Sequence, residues 1–167
     1  MKKLLAFVLA CELQLWAQAA DPCPMHKEHM DAAQHQAEVE KHGNEAMGFP
    51  QDKTTHHFRL AADGGTIEVA ANEDNDKQNR DAIRSHLTHI ATMFANGDFS
   101  APMFIHGEVP PGVPVMKERR AQISYSYEEL AGGGAVRMRT NDREALKAIH
   151  EFLRFQIEEH RTGDRTE

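Results

Sequence analysis

Two stretches of the chain alternate apolar and polar residues, and each is followed by apolar residues at helical spacing. His56 to Leu60 and Thr66 to Ala71 alternate on either side of Asp63-Gly64-Gly65, a turn signal that predicts a hairpin. Ile83, Leu87, Ile90 and Phe94 then recur at three- and four-residue steps across Asp76 to Asn96, which predicts a helix. The pattern repeats later in the chain. Ile123 to Glu128 and Ala135 to Thr140 alternate around Gly132-Gly133-Gly134, and Leu146, Ile149, Leu153 and Ile157 mark a second helix from Asp142 to His160. Arg80-Asp81-Ala82-Ile83-Arg84 matches Arg143-Glu144-Ala145-Leu146-Lys147 by residue class. Asn141 or Asp142 would cap the second helix, and Asn96-Gly97 and Thr162-Gly163 would end the two helices alike.

The expected fold is therefore α+β, a duplicated β-β-α unit. Each hairpin has one apolar face: Phe58, Leu60, Ile67 and Val69, then Ile123, Tyr125, Tyr127, Val136 and Met138. A single hairpin is marginal in water, whereas a four-stranded antiparallel sheet with two helices on one face buries both stripes. Strand order stays open at this stage. Pro102 to Pro114, with Pro110-Pro111-Gly112-Val113-Pro114 inside it, reads as a stiff connector unsuited to a central strand.

The chain ahead of this domain differs in character. Lys2 and Lys3, the apolar run Leu4 to Leu9 and the small-residue site Ala17-Gln18-Ala19 read as a signal peptide over 1–19, interrupted by Glu12. The run is too short to span a membrane, so no transmembrane segment is expected in the mature chain. A lipoprotein signal is the alternative, since Val8-Leu9-Ala10 precedes Cys11. Either route makes the protein periplasmic or secreted. Cleavage would leave Cys23 as the only thiol, so no intramolecular disulfide can form. Residues 20–48 are polar and rich in His and Met, which suggests a flexible or partly helical arm, with helix formers from Ala32 to Ala46 that allow a helix there. Gly48-Phe49-Pro50 marks the boundary with a domain over 49–167.

Candidate chemistry lies in the donors. The chain has 167 residues, eleven of them histidine, and a formal charge of −7 that argues against nonspecific nucleic-acid binding. Cys23, Met25, His26, His29 and Met30 place thiolate, thioether and imidazole within eight residues, a set suited to copper or zinc. In the domain, His86 and His89 share a helix edge with Met93, and His150 flanks Ile149 on the second helix. His56 alternates with Phe58 and Leu60, so His56, His86, His89 and His150 are candidates for a second metal site between sheet and helices. The plainer reading is that each imidazole is singly hydrogen-bonded at the rim of the core. His106 sits in the connector, where loop hydrogen bonding is the expectation. Phe152 and Phe155 widen the core stripe or mark a dimer or partner surface. The sequence has no Gly-x-Ser-x-Gly elbow, phosphate loop, His-Glu-x-x-His or dinucleotide fingerprint.

Two resemblances accompany these residues. Cys23-Pro24-Met25-His26 resembles the Cys-Pro-Met-His-Pro segment of heavy-metal-binding modules in copper-transporting ATPases, with Lys27 in place of proline. Lys53 to Phe58, Val109 to Pro114 and Ala148 to Phe155 resemble a group of small exported bacterial proteins, over about Met47 to Asp164. That group has no settled activity, so the resemblance implies export and compactness alone. The expected function is a periplasmic binding protein for copper or zinc. The rivals are an envelope interaction module, such as a homodimer, and a small enzyme using His86 or His150 as base.

Overall fold

The computed structural model describes residues 24–167, with side chains from Asp31 onward. The signal peptide, Cys11 and Cys23 lie outside the described residues, as do the side chains of Met25, His26, His29 and Met30. The elements run α1 (Pro24–Met47), β1 (Thr54–Ala61), β2 (Gly64–Ala71), α2 (Lys77–Ala95), α3 (Ser100–His106), α4 (Val113–Glu118), β3 (Ile123–Leu130), β4 (Gly133–Thr140) and α5 (Arg143–Glu159). Among them, no helix is long and apolar enough to cross a membrane.

The fold is the α+β arrangement expected, and the sheet is antiparallel in the order β1-β2-β4-β3. The centre is formed between the repeats: Ile67 pairs with Val136, and Val69 with Gly134. Phe58 sits opposite Ile67, and Tyr125 opposite Met138, so the alternating positions deliver one continuous apolar face. Ile83, Leu87, Ile90 and Phe94 of α2 and Ile149, Phe152 and Leu153 of α5 close over it as a single core.

The helices are exchanged between repeats. α2 follows the first hairpin yet packs mainly on β3 and β4; α5 follows the second hairpin yet packs mainly on β1 and β2. Each hairpin is thus covered by the other repeat's helix. The helix caps also correct the internal alignment. Asp76 accepts from the Asn79 amide, and Asp142 from the Ala145 amide, so these two residues are equivalent. Ile83 then corresponds to Ile149, Leu87 to Leu153, Ile90 to Gln156 and Phe94 to His160. The match of Arg80–Arg84 with Arg143–Lys147 is one turn out. A three-residue slip nearly preserves a helix face, so class matching alone does not set the register.

Two segments differ from expectation. Pro24–Met47 is one helix, longer at both ends than the Ala32 to Ala46 stretch whose composition allows one. It lies along α3, burying Val39 and Met47, while His35 reaches Glu159 at 2.7 Å. The connector folds into α3 and α4, with Gly112 at φ 81° starting α4. A Cβ on Gly112 would stand 2.0 Å from the Ala148 carbonyl oxygen, so only glycine lets α4 approach α5. Gly112→Ala is expected to cost about 2 kcal/mol or more, read as a lowered urea midpoint.

The β1 edge is closed by the C-terminal tail. Asp164 accepts from the Phe58 amide at 2.9 Å with one carboxylate oxygen and meets His57 Nδ1 at 2.9 Å with the other. Burial works to raise that carboxyl's pKa, but the Phe58 amide, Thr162 and His57 outweigh it and hold it below the usual carboxylate range.

Candidate functional site

Helical spacing puts His86, His89 and Met93 on one side of α2, and the structure gathers all three along one surface groove. Ser100, Ala101 and Phe104 of α3 form the opposite wall, with Ala46 of α1 at one end. The groove holds about 310 Å³. His89 is exposed and Met93 half-buried. Burial, reinforced by His89, pulls the His86 imidazole down to about 4.

His86 also lines a small, half-open cavity of about 60 Å³ next to the groove, sharing that role with Ile90 and Ala101. Most of its wall is apolar. The polar exceptions are His56, His86, His160 and Gln156, and the Met47 thioether lies on the same wall. The His56 and His160 rings are nearly parallel, 4° apart, with centroids 6.0 Å from each other. Phe49 stands against both His56 and His86, at 6.5 and 5.7 Å between centroids. Burial, then His86 and His57, lower His56 to about 4; burial, then His106 and His56, lower His160 to about 3.

Among the described residues, buried polar atoms without partners occur here and at the Tyr125 and Tyr127 hydroxyls on the other side of the core. His56 Nε2 and Gln156 Nε2 have none, although both residues line the cavity. Gln156 Oε1 accepts from His106 Nε2 at 3.2 Å, while His106 Nδ1 stands 3.5 Å from Glu159 and makes no hydrogen bond. His106 is therefore a buried member of α3 beside the cavity, where a connector loop was expected. Such orphaned groups each cost on the order of 1–3 kcal/mol unless something binds them.

The corrected repeat alignment shows how unusual this end of the core is. On the opposite side, Phe94 packs on Tyr125, with centroids 6.0 Å apart. The equivalent pair on this side is His160 and His56, because Phe94 aligns with His160 and Tyr125 with His56. Ile90 has likewise become Gln156. One copy of the core carries Ile90, Phe94 and the buried Tyr125 hydroxyl where the other carries Gln156, His160 and His56. His160 extends the apolar stripe Leu153–Ile157 by three residues, which is the sequence signal that would have flagged it.

The four histidines read from sequence do not converge. His150 sits at the hairpin end, with Nε2 donating to the Ala61 and Gly64 carbonyls at 2.9 and 3.0 Å. Its function there is to tie α5 to the turn. His89 stays in the groove, and His56 pairs with His160 inside. Among the described residues, no three His, Cys, Asp or Glu side chains are placed to hold one ion. Phe152 is 1% exposed and packs against Phe94 and Phe99, so it is core and not a dimer contact. Phe155 rests on His106.

Chemically, imidazoles held at about 4 are neutral near pH 7 and present free lone pairs. They are weak bases for proton abstraction, which favours groups titrating near the working pH. The arrangement suits ligation and hydrogen bonding better than general base catalysis. No protein family matches the chain, and neither a curated protein nor a solved structure matches it.

Proposed function

We propose that the protein is an envelope binding protein for a soft transition metal, with copper as Cu(I) a better fit than zinc. The observation that carries this reading is the α2 groove, where two imidazoles and a thioether share one accessible face. Thioether and imidazole are the donors soft copper selects, and Cu(I) accepts few ligands. Structural zinc sites close with four His, Cys or carboxylate ligands, and catalytic ones use three. No such group stands among the described residues, which weighs against zinc in the domain. The acidic balance favours cations of any kind and adds no selectivity.

Cys23, Met25, His26, His29 and Met30 would form a separate site. Met30, the nearest of these donors, precedes His42, which meets Phe104 of the groove, by about 18 Å of helix at ~1.5 Å per residue, so the two donor sets cannot share an ion. The leader-like sequence over 1–19 supports an envelope location.

Anaerobic titration of the chain with Cu(I) against a chromogenic chelator tests this reading. His89→Ala with Met93→Leu should weaken groove binding at least tenfold while leaving the thermal midpoint of the metal-free protein nearly unchanged. Cys23→Ala in parallel isolates the leader site. Equal Cu(I) affinity and stoichiometry with and without the groove substitutions would refute the groove reading.

A further inference from the structure

We propose that the half-open cavity beside the groove binds a small uncharged carbonyl compound with a straight alkyl chain, its oxygen turned in toward Gln156 and its chain trailing out along the groove. The proposal does not rest on the copper reading. His86, Ile90 and Ala101 stand in the walls of both the cavity and the groove. Gln156, His56 and His160 line the cavity and not the groove, so these polar groups lie at the end away from it. Outward from the cavity, Ala46, Met93 and Phe104 continue the apolar surface along the groove.

Gln156 supplies the anchor. It is 4% exposed, and with Oε1 accepting from His106 Nε2 its amide N–H groups have no partner. A free donor calls for an acceptor, and a carbonyl oxygen is a compact one. The last torsion of a glutamine is soft, so the amide can swing to meet it. His56 Nε2 is also buried and unpartnered, and it donates or accepts according to its tautomer. Orphaned atoms alone mark no site, since the Tyr125 and Tyr127 hydroxyls are unpartnered too. Gln156 and His56 differ in lining this cavity, which neither tyrosine does.

Size and charge narrow the class further. The cavity measures about 60 Å³. A cavity of roughly 150 Å³ admits benzene, so this one refuses a ring and takes about two or three heavy atoms in file, the carbonyl and methyl of a methyl ketone. The groove, at about 310 Å³, leaves room for the chain behind them. No carboxylate lines the cavity, and His56, His86 and His160 are neutral near pH 7. An ionised head would lose its hydration there and meet no opposite charge. Water alone fits poorly, because it needs about two to four polar partners and most of this wall is apolar.

The test is an NMR titration of the full, metal-free chain, labelled with ¹³C and ¹⁵N, using methyl pentyl ketone as the probe. Saturable shifts are expected at the Gln156 side-chain amide and at the Met47 and Ala101 methyl groups. Hexanoate, which carries the same pentyl chain on a charged head, should bind at least tenfold more weakly. Gln156→Ile puts isoleucine there, as at the equivalent Ile90, and should fold. It should weaken the ketone at least fivefold, the worth of about one hydrogen bond. Ala101→Leu narrows the shared wall and should abolish the Gln156 response in a chain whose thermal midpoint stays close to the parent's. Shifts confined to Met93 and Phe104 in the groove, with Gln156 silent, would overturn the proposal. So would hexanoate binding as tightly as the ketone, or no response at all, which would leave the cavity to water. None of these outcomes touches the copper reading, which stands or falls by the Cu(I) titration.

Discussion

Lowering the pH from 6.5 to about 5 is expected to cost the metal-free protein several kcal/mol of stability, before most carboxylates titrate. His56 and His86 are held at about 4 and His160 at about 3, chiefly by burial, against an ordinary value of 6.5. Below pH 6.5 the unfolded chain takes up protons at these positions and the folded chain refuses them. Stability is therefore complete above pH 6.5 and falls as the pH descends toward the folded values. The falls from 6.5 to about 4 at His56 and His86 and to about 3 at His160 correspond to about 3 to 5 kcal/mol each at most. His57, His89, His106 and Glu159 face this cluster; the first three oppose added protons there, while Glu159 favours protonation of His106. Asp164 is held below its normal range, so its contribution disappears only at still lower pH. Urea denaturation at pH 7.5, 6, 5 and 4.5 should show the midpoint dropping at each step. His160→Phe should flatten the slope by removing one of the three groups. A midpoint unchanged across that interval would show that the imidazoles are better solvated than their surroundings indicate.

Phe152→Ala is expected to be the most damaging single truncation in the core, at about 3–5 kcal/mol. The ring is 1% exposed and lies edge-on to Phe94 and Phe99, with centroids 5.9 and 6.2 Å away, and Phe94 and Phe99 stack at 4.4 Å. Three aromatic rings meeting at one point leave little that can collapse into the space, so transfer and cavity costs add. Thermal melting would show the loss, and light scattering should show the same molecular mass for both proteins. A variant that melted normally but dissociated from a larger species would return Phe152 to an interface.

Much of the fold was legible because its pattern is repetitive. The inward set Phe58, Ile67, Val69, Ile123, Tyr125, Val136 and Met138 follows from alternation alone, and the structure seats each of them in or against the core. Asp142 was readable as a helix cap from its position ahead of the second apolar stripe. The helix pairing was not readable, since nothing local in α2 states which hairpin it will cover. α1 was underestimated for a related reason. Its stability comes from Val39 and Met47 meeting α3, and those contacts have no signature in a mostly polar segment. At the site, His86, His89 and Met93 were legible as a helix edge. His160 was overlooked because the repeat was aligned a turn away, where its counterpart Phe94 was hidden. Orphaned atoms such as His56 Nε2 belong to tertiary packing and cannot be read from spacing.

The exchanged helices also dictate an order of events at the ribosome. The first hairpin is complete by Ala71, but the helix that shelters it, α5, ends only at Glu159. A nascent chain that stops short of α5 leaves the first hairpin uncovered, so folding of this domain waits until α5 has been made.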